Sequence, residues 1–192
     1  MTTTLEVDRG STALVAIDLQ KGVASRATQP HDAATVVANA ARLADAFRKN
    51  GMPVFLVRVA ALGPDRLSPL ADEKWQPPAN LPADWSEIVE ELGPRPGDIV
   101  IGKKQWGAFY GTDLDLQLRR RGLKTIVLCG IATNYGVEST ARFAYEYGYQ
   151  QIFAEDAMAS LAPEMHAASV NFVLKRLGRV RSTDEIVAAL AQ

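Results

Sequence analysis

The sequence predicts an α/β fold of three layers, with helices on both faces of a six-stranded parallel sheet. Three observations predict it. Short β-branched runs bounded by turn residues alternate with longer segments of helical period, the pattern of βαβ units. The 192 residues, 47% of them hydrophobic and 22% charged, suffice to bury a core without disulfides or a structural metal. Charged or turn-forming residues stand just past three of the runs, at Asp18, at Lys103 and Lys104, and from Ala132 to Gly136.

Each element follows from local chemistry. The first strand is TALVAI, Thr12 to Ile17, ended by Asp18. A helix runs from Ala33 to Asn50, with Asp32 as N-cap and Gly51 as its stop. PVFLVRV, from Pro53 to Val59, is the second strand. The stretch from Ala60 to Gly97 is long and Pro-rich and holds Trp75 and Trp85. Loops of this length are usually functional or carry short helices. DWSEIVEEL, Asp84 to Leu92, reads as such a helix, and the remainder as a candidate lid.

DIVIG, from Asp98 to Gly102, is the third strand, DLDLQLRRRG a helix, TIVLCGI the fourth strand and VESTARFAYEYG the next helix. QIFAEDA makes a fifth strand, PEMHAASVNFVLKRLG a further helix, and RV a short sixth strand. STDEIVAAL closes the chain, with Ser182 and Glu185 spaced as a capping box. No repeat, low-complexity tract or linker divides the chain, so one domain over residues 1–192 is expected.

Composition narrows the partners. A net charge of -1 and a pI near 6.1 argue against nucleic acid, which demands a basic face. The basic run from Arg119 to Arg121 reads as the last turn of a helix before Gly122, where cations complement the dipole. The N-terminus lacks a basic segment followed by an apolar one, and no stretch approaches the ~20 apolar residues of a membrane span. A cytoplasmic protein without a membrane partner is therefore expected. The single cysteine, Cys129, permits no internal disulfide and, inside TIVLCG, reads as a small buried hydrophobe.

In an open parallel sheet, ligands bind beyond the carboxyl ends of the strands, where strand order reverses. Asp18, Lys103 or Lys104, and the turn from Ala132 to Gly136 could converge there as an acid or base, a charge stabiliser and an anion pocket of N–H groups. Asp at a strand end is equally common as a cap or turn residue, so spacing alone leaves both roles open.

The set VAIDLQ, KKQWGAF and GIATNYGVESTAR resembles the isochorismatase-like cysteine hydrolase family, from about Thr12 to the C-terminus. The resemblance implies Asp18 as general acid/base. It implies Lys103 rather than Lys104 as the electrostatic partner, because the family's lysine lies six residues before the phenylalanine matched by Phe109. Trp106 and Phe109 would line the pocket, together with the turn residues Ala132, Asn134 and Tyr135. The family carries a cis peptide at this turn, and the matching bond is Ile131–Ala132. Members assemble as dimers or tetramers, which implies a homodimer or homotetramer here.

Gly136 stands where amidase members carry the nucleophilic cysteine, which removes the thiolate their covalent mechanism needs. True isochorismatases also have glycine there. The resemblance thus implies a catalytic set of Asp18, Lys103 and Gly136, acid/base hydrolysis of a small vinyl ether, and a glycine that leaves room for substrate or water.

The metal-binding cluster of nicotinamidases has no match, since His31 and His166 read as structural; no metal and no cofactor are expected. Arg58 or Arg66 could hold a substrate carboxylate. Asn134 and Glu138 could orient substrate, although Glu in a first helical turn is commonly a dipole partner. Tyr145, Tyr147 and Tyr149 read as core-packing or subunit-interface residues. The other reading left open is a non-catalytic small-molecule or protein-binding module. A dinucleotide-binding domain lacks its glycine motif, since DLQKGV follows the first strand.

Overall fold

The computed structural model describes residues 5–60, 67, 69–73 and 80–191. Trp75 and Arg66, and a large part of the candidate lid, lie outside the described residues. Six strands form one sheet: β1 (Thr12–Ile17), β2 (Val54–Val59), β3 (Ile99–Lys103), β4 (Thr125–Ile131), β5 (Gln150–Ala159) and β6 (Arg179–Arg181). Their order is β3-β2-β1-β4-β5-β6 and every pairing is parallel, so the sheet matches the fold class predicted. The chain winds outward from β1 to β3, then crosses back to lay β4 against the other side of β1. The switch point therefore falls between β1 and β4.

Strand parity sorts the core. Leu14 and Ala16 of β1 face the layer of α2 (Ala33–Lys49) and α7 (Thr183–Leu190), whereas Ala13, Val15 and Ile17 face α3 (Leu114–Arg120) and α4 (Glu138–Glu146). In α2 the buried residues Val36, Ala40, Leu43, Ala44 and Phe47 form one stripe at helical spacing. The Asp32 carboxylate accepts from the Thr35 N–H at 2.7 Å, and Gly51 turns the chain away at φ 66°. Helix α7 carries the capping box expected of Ser182 and Glu185.

Two expectations need correction. The segment 84–92 is not helical; it is a run of turns that bonds outward to residues 19–22, which include the start of the short helix α1 (Lys21–Ala24). Lys21 N–H donates to Glu87 O, Gly22 N–H to Trp85 O and Val89 N–H to Leu19 O, all within 3.1 Å. Ile88, Val89 and Leu92 are buried at a spacing that mimics a helix, but nine residues nucleate one weakly, and these backbone partners outcompete it.

The helix expected over 163–178 is wider-wound in the middle: α5 (Pro163–Ala168) passes into a π-helical stretch (Ser169–Leu174) and then α6 (Lys175–Leu177). Register between β4 and β5 also shifts after Leu128, so Glu155 and Asp156 leave the ladder.

β1 and β4 approach closely at the top of the sheet. Gly130 pairs with Ile17, and a Cβ there would lie 2.0 Å from the Ile17 carbonyl oxygen, at a φ of +127°. Gly122 also has positive φ but has nothing within 4 Å of its Cβ position. In urea unfolding, Gly130→Ala should therefore cost at least about 3 kcal/mol and Gly122→Ala about 1 kcal/mol; equal losses would refute the close approach.

Candidate active site

Asp18 is the first residue past β1, in the left-handed region at φ 55°, which Asp tolerates better than most side chains. Its N–H donates to Val57 O at 2.8 Å, fixing the residue over the end of β2. Lys103 is the last residue of β3, two strands away, a separation of about 10 Å between strand axes. Its extended side chain crosses β2 and places Nζ 2.8 Å from Asp18 Oδ2 and 3.0 Å from Gln105 O. Lys103 is buried and its neighbour Lys104 is exposed, so the inward lysine is the one the family motif singles out.

Both charges are out of water, at 7% and 2% exposure. Desolvating an ion costs several kcal/mol even where a partner compensates. Burial is the larger influence on Asp18 and raises its carboxyl above the usual range, with the Lys103 ammonium pulling the other way. Asp18 Oδ1 is buried and has no hydrogen-bond partner among the described residues.

The turn after β4 supplies the opposite wall. Ile131–Ala132 is a cis bond, and Thr133–Val137 is wound as a π-helix before α4 begins. Such single π turns are frequent at functional sites. Gly136 is buried, and a Cβ built on it would meet Asp18 Oδ2 and Ile17 Cγ2 at 2.9 Å each. The space expected to admit substrate or water at Gly136 is thus occupied by the Asp18 carboxylate and Ile17.

Trp106 is exposed at the rim and meets the half-buried Tyr135 edge-on at 4.9 Å. Phe109 is buried in the core, stacked against Tyr149 and edge-on to Tyr147. Asn134 Oδ1 accepts from the Ser160 hydroxyl, and Glu138 accepts from Ser169 Oγ at 2.6 Å and Arg142 Nε at 2.9 Å. Arg58 donates to the Ser86 carbonyl at 3.0 Å and so fastens the 84–92 segment to β2.

Several residues that shape the site were not anticipated. The Thr140 hydroxyl donates to Gly136 O at 2.7 Å and accepts from the Ala108 N–H at 3.0 Å, tying the turn to the loop after β3. Its position four residues past Gly136 is the local signal, a Thr bonding back along a helix. Gln20 accepts from the Val59 N–H at 2.7 Å and donates to Trp85 O at 3.3 Å. Trp85 lies over Gly22, where a Cβ would be 1.9 Å from its ring. Nothing in sequence spacing announces that pair. Cys129 is buried, and burial pushes its thiol up to about 12, which removes it as a thiolate nucleophile.

The fold is that of a three-layer α/β enzyme, and Asp18, Lys103 and the turn after β4 meet at the switch point of the sheet. The model of the isochorismatase domain matches residues 12–185, and the chain belongs to the isochorismatase family of hydrolases. It is 52% identical over 190 residues to YwoC, an uncharacterized isochorismatase family protein of Bacillus subtilis, covering 97% of this chain and 98% of that one. Among solved structures it resembles an isochorismatase family protein from Burkholderia thailandensis, with a TM-score of 0.93, 42% identity and coverage of 99% and 100%. It also resembles the N-carbamoylsarcosine amidase of Thermoplasma acidophilum, with a TM-score of 0.75, 30% identity and coverage of 91% and 97%.

Among the described residues no helix is long and apolar enough to cross a membrane, and no group of three or more His, Cys, Asp and Glu side chains is arranged to hold a metal ion.

Because the folded carboxyl of Asp18 titrates above its unfolded value of 3.8, the folded state holds a proton the unfolded state has released. Stability should fall as pH rises from that value through the folded one. Carbon-13 titration of the Asp18 carboxyl should give a value above 3.8, and Lys103→Met should raise it further. A value lowered by Lys103→Met would refute the balance between burial and charge.

Proposed function

We propose that the protein is a hydrolase without a cysteine nucleophile, cleaving a small vinyl ether of isochorismate type with Asp18 as both acid and base. The observation that carries this reading is the division of labour within one carboxyl group. Oδ2 receives the Lys103 ammonium, while the buried Oδ1 has no partner among the described residues and is the oxygen placed to carry a proton. Burial favours that protonated form.

A vinyl ether needs no nucleophile from the protein. Oδ1–H delivers its proton to the terminal vinyl carbon, and the electron pair of the double bond forms the new C–H bond. The adjacent carbon becomes an oxygen-stabilised cation. Asp18 is then a carboxylate, and Lys103 neutralises it at 2.8 Å. Water attacks the cation and yields its proton to Asp18. The hemiketal collapses to a ketone and an alcohol, so one water is consumed and the carboxyl is restored.

Gly136 suits this chemistry because the carboxylate occupies the space where another side chain would project. Trp106 and Tyr135 offer an aromatic wall for the substrate ring, and Ala132 and Asn134 present the turn to it. We also propose a single cytoplasmic domain that assembles as a homodimer or homotetramer; the exposure of the large apolar side chains Leu161, Met165 and Phe172 supports the assembly alone.

Pyruvate release from isochorismate tests the proposal, with a panel of small amides beside it. Asp18→Asn keeps an acceptor for Lys103 but no acidic proton, and should lower kcat/KM about a thousandfold, about 4 kcal/mol. In the native protein kcat/KM should fall as pH rises through the raised value of Asp18, and that limb should vanish in the variant. Full activity of Asp18→Asn, or amide cleavage by the native protein, would overturn the reading.

A further inference from the structure

A second polar cluster meets the turn at its first residue, Thr133. Thr133 Oγ1 is 2.9 Å from His166 Nδ1, and His166 Nε2 is 2.9 Å from Glu155 Oε1. His31 Nε2 reaches the same oxygen at 3.3 Å, with its ring edge-on to His166. Thr133 is 0% and His166 3% exposed. The order hydroxyl, imidazole, carboxylate is that of a nucleophilic triad, but the hydroxyl belongs to the first residue of the wound turn itself.

Its geometry serves position instead. Thr133 opens the π-helical turn, and three residues later Gly136 abuts the Asp18 carboxylate. We propose that Glu155, His166 and Thr133 form a relay that positions this turn, and that His166 is a positioning residue for the reaction at Asp18. The proposal rests on the reading of Asp18 given above.

Direction within the relay follows from donor and acceptor counts. The Glu155 carboxylate is held below its usual range, chiefly by its bond to His166, and so remains an acceptor only. A neutral His166 must then carry its hydrogen on Nε2, which leaves Nδ1 as an acceptor. Thr133 Oγ–H therefore donates to Nδ1, and one rotamer of Thr133 is selected. The irregular register of β5 is what brings Glu155 out of the ladder to His166, and α5 brings the ring to the turn. Ser160 on Asn134 and Ser169 on Glu138 grip the same turn beside it.

Nitrogen-15 NMR of the native protein, at a pH where the ring is neutral, should show His166 protonated on Nε2 and bare on Nδ1. Glu155→Gln offers an amide donor and should admit the opposite tautomer. Thr133→Val keeps shape and loses the bond; kcat should fall about tenfold or more with KM little changed, and Thr133→Ser should restore it. The Asp18 carboxyl titration should move in Thr133→Val as well.

If the native protein leaves isochorismate intact, the proposed substrate fails, while the tautomer and the Asp18 titration still decide the relay. Nδ1 protonated in the native protein, or an Asp18 titration and turnover unmoved by Thr133→Val, would overturn the proposal. Should Thr133→Val fail to fold, the native tautomer and its change in Glu155→Gln decide between relay and simple packing.

Discussion

The close approach of β1 and β4 at Ile17 and Gly130 sets the geometry of everything above the sheet. With no side chain at Gly130, the two central strands end side by side, and both turn within two residues. One turn carries the carboxyl of Asp18; the other begins the π-helical stretch that leads into α4. Had the strands been held further apart, the carboxylate and the helix start would face separate clefts. Convergence at a switch point is a general property of such sheets, and here a missing methyl group makes it tight.

Desolvation then governs chemistry. A charged pair at the surface is worth little, because water screens it and side-chain entropy opposes it. At 2.8 Å in a buried setting, Asp18 and Lys103 cannot be treated as a simple stabilising bridge, since the loss of water weighs more on the carboxyl than the ammonium returns. The pair holds a carboxyl raised above its usual range, and the rest of the structure bears that cost. Core stripes on both faces of the sheet, among them Phe47, Leu43, Phe55 and Phe153, supply the burial that makes it sustainable.

The parallel sheet was legible because its strands are short β-branched runs and its helices carry their own start and stop signals at Asp32, Gly51 and Ser182. Asp18 and the inward Lys103 were legible through motif order, each at a strand end. The 84–92 segment was misread because Ile88, Val89 and Leu92 repeat at helical spacing, while the partners that hold it out of a helix, residues 19–22, lie some 65 positions earlier. Phe109 was expected in the pocket and sits in the core, since spacing along a loop does not fix which way a ring turns. Thr133, Glu155 and His166 come from three separate elements, and only the folded chain brings them into one line.

Position 136 has a consequence for how such a site changes over generations. Any Cβ there collides with Asp18 Oδ2 and Ile17 Cγ2, and Oδ2 is itself pinned by Lys103. A mutation at this codon is therefore not independent of residues 17, 18 and 103: the ammonium must re-aim and the carboxylate must swing before a larger residue fits. Epistasis of this kind acts as a ratchet. Once neighbouring side chains have settled into the space beside a glycine, exchange for a bulkier residue at position 136 requires coordinated movement of residues 17, 18 and 103.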